Sequence, residues 1–252
     1  MDLVVGTVLL RPYVLGFLAA FALAGAADIG ARRTALFAAC VWPVALGAEL
    51  SSTRTGVPFG LYHYTGLTRG QELFVANVPF MDSLSFTFLA YASFCLARGA
   101  LRSPGAAPAR PPAPLALACL SGALMMLLDV VIDPLAVRGD RWFLGRIFYY
   151  PYGGEYFGVP LSNFLGWAIV GTVGVGGYLI LAGAGGGRHV WPGIALYYAV
   201  FAFNVGVTAW IGEWRLVAVG ASIHAATAGA LRFLSKRTSG SHGRGKRGVE
   251  SA

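Results

Sequence analysis

Two aspartates near the end of an apolar stretch are the residues best suited to acid–base chemistry. Asp129 and Asp133 stand four residues apart in LLDVVIDP, so on a helix they lie one turn apart on a common face. Two such close carboxyl groups in a medium of low dielectric constant do not both ionise readily, so one is expected to keep a proton and act as a general acid. The alternative is structural. Asp133 would cap the break at Pro134 or pair with Arg138, and Asp129 would hydrogen-bond a neighbouring helix.

Three further polar residues stand at the ends of apolar spans. Glu49 precedes the polar run 51–55, so it is either a second acid–base group or the water-exposed end of its span. Asn163 follows Pro160 by three residues and is expected in the first turn of a helix, facing inward. There its amide would hold a water or a carboxylate, or join two helices. Asp82 stands where an N-cap residue is expected.

Aromatic residues concentrate in two long connections, 51–81 and 138–158. A belt of aromatic rings at the membrane–water interface would explain these residues, and they would then need no further role. If the rings instead surround a pocket, their faces would stabilise a carbocation. His224, in the middle of a span, is more typical of a hydrogen-bonded packing residue than of a ligand. Hydrogen bonds to another helix would explain Asn204 and Thr208. The candidates for substrate contact are Tyr62, Tyr64, Tyr152, Glu155, Tyr156, Phe157 and His224.

The composition indicates an integral membrane protein. Of the 252 residues, 56% are hydrophobic and 12% charged, and the mean hydropathy is +0.64. Six of the 19 basic residues lie in the last 21 positions, which suits anionic lipid headgroups and argues against a nucleic-acid partner. Cys40, Cys95 and Cys119 lie in apolar runs without metal-binding spacing, so neither a metal site nor a disulfide is expected.

The fold class predicted is an all-α, polytopic membrane bundle of about seven transmembrane helices. Residues 1–234 would form one integral membrane domain, with the first span kept as an anchor, and 235–252 a basic, disordered tail. The proline-rich segment 98–114 reads as a semi-rigid linker and 183–187 as a flexible loop. Apolar windows long enough to cross a bilayer fall at about 9–27, 34–50, 82–98, 115–137, 159–183, 191–211 and 215–234.

The distribution of basic residues predicts the orientation. With seven spans, twelve basic residues fall on the side of the tail and seven on the other. The tail is therefore expected in the cytoplasm, and the protein in the inner membrane. The two long Gly/Tyr-rich connections then share the opposite face, as do the polar residues Glu49, Asp82, Asp133, Glu155, Asn163 and Glu213.

Two other functional classes fit seven spans with embedded carboxylates. A retinal protein needs a Schiff-base lysine in a helix, and this class is excluded because the only lysines, Lys236 and Lys246, lie in the tail. A proton-coupled transporter or lipid-binding membrane protein stays an alternative. The transporter predicts internal repeats, and the span 2–3 and span 4–5 blocks share only a Gly/Pro/Tyr character in their loops.

Two sequence blocks carry a resemblance to a known family. The first is ELSSTRTGVPFGLYHYTG at 49–66, and the second joins DVVIDP at 129–134 to EYFGVPLSNFLGW at 155–167. The ordered combination TGxPFGxYxY, Dx3DP and YFGVPLSNFLGW resembles the membrane-embedded carotenoid-biosynthesis proteins, which include carotenoid 1,2-hydratases and bisanhydrobacterioruberin hydratases. The resemblance extends over about residues 35–215.

The resemblance implies addition of water across the terminal C=C bond of a linear carotenoid, without a cofactor, giving a tertiary alcohol. The implied partners are the carotenoid, water, membrane lipid and other carotenoid enzymes. On this hypothesis Asp129 or Asp133 donates the proton, Glu49 activates water, Asn163 positions it, and the Tyr/Phe connections form the cavity wall. Another end-group reaction, such as cyclisation, begins with the same protonation and stays open.

Overall fold

The first apolar span is broken at Arg11. The computed structural model describes residues 2–101, 113–183 and 187–245, and in it α1 (Leu3–Leu10) meets α2 (Pro12–Asp28) at 87°. Pro12 cannot donate a backbone hydrogen bond to α1, but it is well suited to the first turn of α2. The window predicted at 9–27 is therefore a 17-residue helix behind a sharp corner, with Arg11 buried at that corner.

Six further helices are long and apolar enough to cross a membrane, and the bent pair brings the number in the described chain to as many as seven. They are α3 (Ala31–Thr55), α4 (Phe80–Leu101), α5 (Pro114–Ala136), α6 (Leu161–Ala182), α7 (Trp191–Trp210) and α8 (Trp214–Gly245). The prediction of an all-α, multi-pass membrane bundle is confirmed.

Three sequence predictions fall partly or wholly outside the described residues. The proline-rich linker lies mostly in 102–112, the glycine run includes 184–186, and the end of the tail is 246–252. The helix α8 continues to Gly245, so the backbone of 235–245 is helical where we expected disorder.

Helix α4 is the most buried of the six and packs against α2, α3, α5, α6, α7 and α8. Tyr91 and Ala92 in its middle are fully buried. The rings of Phe37 in α3 and Tyr178 in α6 pack edge-on, 5.0 Å apart, and Phe37 also packs edge-on against Tyr91. Burial on all sides explains why α4 is apolar around its whole circumference.

Helices α5 and α6 pack tightly against each other. A Cβ atom on Gly122 would lie 2.2 Å from Thr172 Oγ1 and 2.3 Å from the Ala168 carbonyl oxygen. A Cβ atom on Gly171 would lie 2.9 Å from the Cα atom of Gly122. Small residues allow this approach of two membrane helices, so Gly122 and Gly171 set the distance between α5 and α6.

The two long connections pair with each other on one face of the bundle. Strand β1 (His63–Tyr64) lies antiparallel to β4 (Phe148–Tyr149), with Tyr64 opposite Phe148. The first connection also contains the hairpin of β2 (Phe74–Val75) and β3 (Val78–Pro79). The pairing confirms that the two connections share a face, where α3 and α5 end and α4 and α6 begin.

A buried ion pair closes the opposite face. Arg98 Nη1 at the end of α4 donates to Asp28 Oδ2 at the end of α2, at 2.5 Å. The backbone N–H of His189, just before α7, donates to Asp28 Oδ1 at 2.9 Å, and Tyr91 donates to Oδ2 at 3.3 Å. A buried charge needs such partners, and together they join three segments at this face.

Candidate functional site

A cavity lies beneath the paired connections. Its total empty space, including the part that is open to solvent, is about 920 Å³. Helices α2 to α7 and both connections contribute to its wall, and twelve of the lining side chains are aromatic. The polar side chains that line it are Glu49, Asp82, Ser85, Asp133, Asn163 and Asn204.

The amide of Asn163 joins the two aspartates. Its Nδ2 atom donates to Asp129 Oδ2 at 2.6 Å and to Asp133 Oδ2 at 2.7 Å. Trp167 Nε1 donates to the same Asp133 oxygen at 3.2 Å. Asp133 lines the cavity, whereas Asp129 is fully buried behind it. Of the two aspartates on α5, Asp133 is therefore the one that a substrate would contact.

This arrangement follows from matched helical spacing. Asp129 and Asp133 are four residues apart on α5, and Asn163 and Trp167 are four residues apart on α6. Each pair lies along one face of its helix, and the close α5–α6 contact brings the two faces together. The expectation that Asn163 faces inward from the first turn of its helix is confirmed.

The structure does not support an Asp133–Arg138 pair. Arg138 Nη1 donates to the carbonyl oxygens of Pro134 and Phe157, at 2.6 and 2.8 Å. Arg138 also forms an ion pair with Glu213 at 3.4 Å, and Arg141 donates to the same carboxylate. Glu213 therefore belongs to an ion-pair cluster that fixes the second connection to the end of α7.

Glu49 presents an unsatisfied oxygen to the site. It is 4% exposed and lines the cavity, and its Oε1 atom accepts a hydrogen bond of 2.8 Å from the Tyr64 hydroxyl. Its buried Oε2 atom has no hydrogen-bond partner among the described residues. Because buried polar atoms are normally satisfied, this oxygen is suited to accept a hydrogen bond from a water in the cavity.

The tyrosines of the two connections supply neutral phenol groups. Burial raises the pKa of Tyr62 and of Tyr64 well above the usual range, and the nearby Glu49 carboxylate raises both further. Burial, and then the charge of Asp133, raises the pKa of Tyr150 in the same direction. All three line the cavity. They therefore stay protonated, and they offer neutral hydroxyl groups and ring faces to the cavity.

Asp82 is not the N-cap of α4, so that prediction was wrong. It is the third residue of the helix and lies in the first turn, with its side chain at the cavity. Arg11 Nη1 lies 3.7 Å from Asp82 Oδ1, and Arg11 Nη2 donates to Glu72 at 2.8 Å. Arg11 and Glu72 were not predicted as neighbours of the site. The position of Arg11 in an otherwise apolar span was the sequence signal for a buried charge here.

Five of the predicted substrate contacts lie outside the cavity lining. Tyr152 is 88% exposed, and the exposed Glu155 accepts a hydrogen bond of 3.4 Å from the backbone N–H of Leu161. Tyr156 packs edge-on against Phe164 of α6, and Phe157 packs beside it. The fifth is His224. Tyr62 and Tyr64 alone of this predicted group line the cavity.

Three polar residues of α7 and α8 are explained by local contacts. His224 Nε2 lies 2.8 Å from the Leu127 carbonyl oxygen and the ring stacks on Phe201, which confirms the packing interpretation. Asn204 and Thr208 donate to carbonyl oxygens of their own helix, at 2.9 and 2.7 Å, so their predicted interhelical role was wrong. Asn204 nevertheless lines the cavity.

Cys40, Cys95 and Cys119 are free thiols. In the part of the chain that the structure describes, no group of three or more His, Cys, Asp or Glu side chains could hold a metal ion.

Comparisons with known proteins point to the same family as the sequence blocks that form this cavity. The family model for the carotenoid biosynthesis proteins matches residues 8–227, from α1 into α8. A bisanhydrobacterioruberin hydratase of Haloarcula japonica is 32% identical over 145 residues, which cover 57% of this chain and 44% of the relative. The match thus spans less than half of the relative's length. No solved structure matched the chain. Because the family model covers nearly every element of the bundle, the chain belongs to the carotenoid biosynthesis protein family.

Proposed function

We propose that this protein hydrates the terminal C=C bond of a linear carotenoid end group. The observation that carries the proposal is the position of Asp133, a carboxyl group held by neutral donors at the wall of a cavity lined by aromatic rings. The family and the hydratase relative support the same reaction class. Hydration changes no oxidation state overall, so acid–base groups suffice and the proposal includes no cofactor.

The first step is protonation of the alkene. Asp133, as the carboxylic acid, gives its proton to the less substituted carbon, and the π electron pair becomes the new C–H bond. The positive charge then lies on the tertiary carbon. The faces of Phe86, Trp167 and Tyr150 in the cavity wall stabilise such a cation. Phe86 and Trp167 are stacked, with ring centroids 4.4 Å apart.

The second step is capture of the cation by water. Glu49 Oε2, with no hydrogen-bond partner among the described residues, accepts from the water and orients its lone pair towards the tertiary carbon. The C–O bond forms, and the proton released from the water passes to a carboxylate of the cavity. The product is a tertiary alcohol.

The body of a linear carotenoid needs an apolar path from the cavity to the bilayer. A groove between α2 and α7 shares Tyr13 and Phe17 with the cavity wall, so the two spaces adjoin at these rings. The groove follows α2 from Tyr13 to Ala27, roughly 21 Å at 1.5 Å per residue. Its wall is mainly alanine and glycine, which leave room for a thin, stiff chain. We assign the polyene body to this groove.

The proposal is tested by expression in cells that accumulate lycopene, followed by mass analysis of the pigments. The wild-type protein is expected to produce carotenoids that have gained one or two waters. Asp133→Asn and Glu49→Gln should each abolish the hydrated product while the protein stays in the membrane. Asp140→Asn, the same chemical change at an exposed position, should keep the wild-type yield.

Two outcomes would contradict the proposal. Hydrated product from both cavity variants would exclude this site, and an isomer of unchanged mass from the wild type would indicate cyclisation instead. The cytoplasmic placement of the basic tail and the inner-membrane location stay predictions from the charge count.

A further inference from the structure

The three carboxyl groups that line the cavity have different partners. Asp133 accepts from the neutral donors Asn163 and Trp167, and Glu49 accepts from the neutral hydroxyl of Tyr64. Asp82 instead faces a guanidinium group, that of Arg11. Among the described ion pairs, Asp82 is thus the cavity carboxyl group that has a cation beside it. When carboxyl groups in one site have different surroundings, they ionise at different pH values. One can then act as the acid and another as the base.

Arg11 is fixed in a position that leaves one nitrogen for Asp82. Its Nε and Nη2 atoms form a fork on Glu72, at 3.2 Å to Oε2 and 2.8 Å to Oε1. Arg11 is 1% exposed and Glu72 2% exposed. The third nitrogen, Nη1, has no hydrogen-bond partner among the described residues and lies 3.7 Å from Asp82 Oδ1. This is longer than a hydrogen bond, but in a low-dielectric interior the attraction between the charges stays strong.

Three structural features fix Arg11 beside Asp82 at the cavity. Pro12 sets the corner between α1 and α2 at which Arg11 lies. The hydroxyl of Thr7 in α1 accepts a hydrogen bond of 2.8 Å from the backbone N–H of Leu73, beside Glu72. The β2–β3 hairpin then connects this segment directly to α4 and to Asp82. The short first helix therefore positions a charge rather than crossing the bilayer by itself.

We infer that Asp82 is the carboxylate that takes the proton lost by water, and that Arg11 is the positioning residue that keeps Asp82 in its carboxylate form. The inference rests on the proposed hydration. As a lone pair of the water oxygen forms the C–O bond, one O–H bond breaks and its proton passes to an Asp82 oxygen. Asp133 has already given up its proton, so the cycle closes when a proton returns from Asp82 to Asp133. No electrons are gained or lost.

Several charged or titratable groups surround Asp82 and enter its pH dependence. They are Arg11 and Glu72 on the side of α1 and α2, Glu49 on α3, Asp133 on α5, and the hydroxyls of Tyr13, Tyr62 and Tyr64. Among these neighbours Arg11 is the positive group. Its removal is therefore expected to make Asp82 harder to ionise.

The test measures the hydration rate of the purified protein in lipid vesicles against pH. Arg11→Gln should lower the apparent kcat about tenfold or more, leave KM for the carotenoid nearly unchanged, and move the acid limb of the rate profile to higher pH. Arg11→Lys keeps the charge and should restore much of the rate and the position of that limb. Arg54→Gln, an exposed arginine at the same face, serves as the matched control and should behave like the wild type.

Asp82→Asn supplies an independent measurement, because the amide keeps the shape of the side chain and Arg11 keeps its fork on Glu72. Asp82→Asn should lower kcat more than Arg11→Gln does. If Arg11→Gln does not fold, the rate of Asp82→Asn alone tests the role of Asp82. A wild-type rate in Asp82→Asn, or an unchanged acid limb in a folded Arg11→Gln protein, would overturn the inference. Failure of the wild-type protein to form any hydrate would instead overturn the proposed function.

Discussion

At the scale of single residues, the environment divides roles between side chains of the same type. Asp129 and Asp133 share the amide of Asn163, yet Asp133 lines the cavity and Asp129 lies fully buried behind it. Asp129 Oδ1 also accepts the backbone N–H of Asp133 at 3.2 Å. In the proposed mechanism Asp129 is therefore a supporting group that fixes the orientation of Asn163, and Asp133 is the acid that a substrate would meet.

Changing Asn163 to aspartate should test this division of roles. Asn163→Asp keeps the size of the side chain but replaces an NH₂ group that serves two carboxyl groups by a third carboxyl group. The lost donors correspond to about 1–3 kcal/mol, so hydrate formation should fall roughly ten- to hundredfold. Initial rates in vesicles measure the effect. Asn77→Asp in the β2–β3 turn is the control, and equal rates in both variants would show that Asn163 plays no part.

At the scale of secondary-structure elements, the contact between α5 and α6 sets the position of Asp133. Gly122 lies about two turns before Asp129, and Gly171 lies one turn after Trp167. The two glycines let the backbones touch, which holds the aspartates of α5 within hydrogen-bond distance of the donors on α6. The geometry of the site therefore depends on residues that do not line it.

A methyl group at this contact should damage the site from a distance. Gly122→Ala would force the two helices apart, because its nearest atoms include the Ala168 carbonyl oxygen of the α6 backbone. We expect a loss of about 1–3 kcal/mol in the free energy of unfolding, together with a lower hydration rate. Thermal unfolding in detergent and the rate assay measure the two effects.

Gly177→Ala, in the partner helix α6, is the matched control for Gly122→Ala. No atom outside its own helix lies within 4 Å of the new methyl group, so this variant should keep both stability and activity. Equal stability of the two variants would show that the glycine contact is not tight.

At the scale of the whole molecule, the bundle has an apolar groove on one side and a buried or partly buried ion pair at each end. The Arg98–Asp28 pair joins α4 to α2 at one face, and the Arg138–Glu213 pair supports the connections at the other. Between these ends the groove along α2 and α7 runs beside the cavity at Tyr13 and Phe17. On the proposed function, a substrate dissolved in the bilayer would reach the site laterally along this groove.

Filling the groove should select against long substrates. Ala20→Trp places a bulky ring in the groove, so hydration of a full-length linear carotenoid should fall at least about tenfold, mainly through KM, because uniform binding of the polyene is lost. A short acyclic isoprenoid that fills only the cavity should react at the wild-type rate. Ala19→Trp, on the neighbouring exposed position outside the groove, should change neither rate. Equal losses for long and short substrates in Ala20→Trp would contradict this path.

The sequence by itself determined the membrane class, the approximate positions of the apolar spans and the face on which the two long connections meet, because apolar length and charge distribution are local properties of the chain. It also placed Asn163 in the first turn of one helix and two aspartates one turn apart on another. The tertiary structure alone decided which aspartate faces the cavity, that Tyr152, Glu155, Tyr156, Phe157 and His224 lie outside it, and that Arg11 reaches Asp82 across 71 positions of the chain. These contacts depend on how helices rotate and how closely they approach, and residue spacing within one helix does not contain that information.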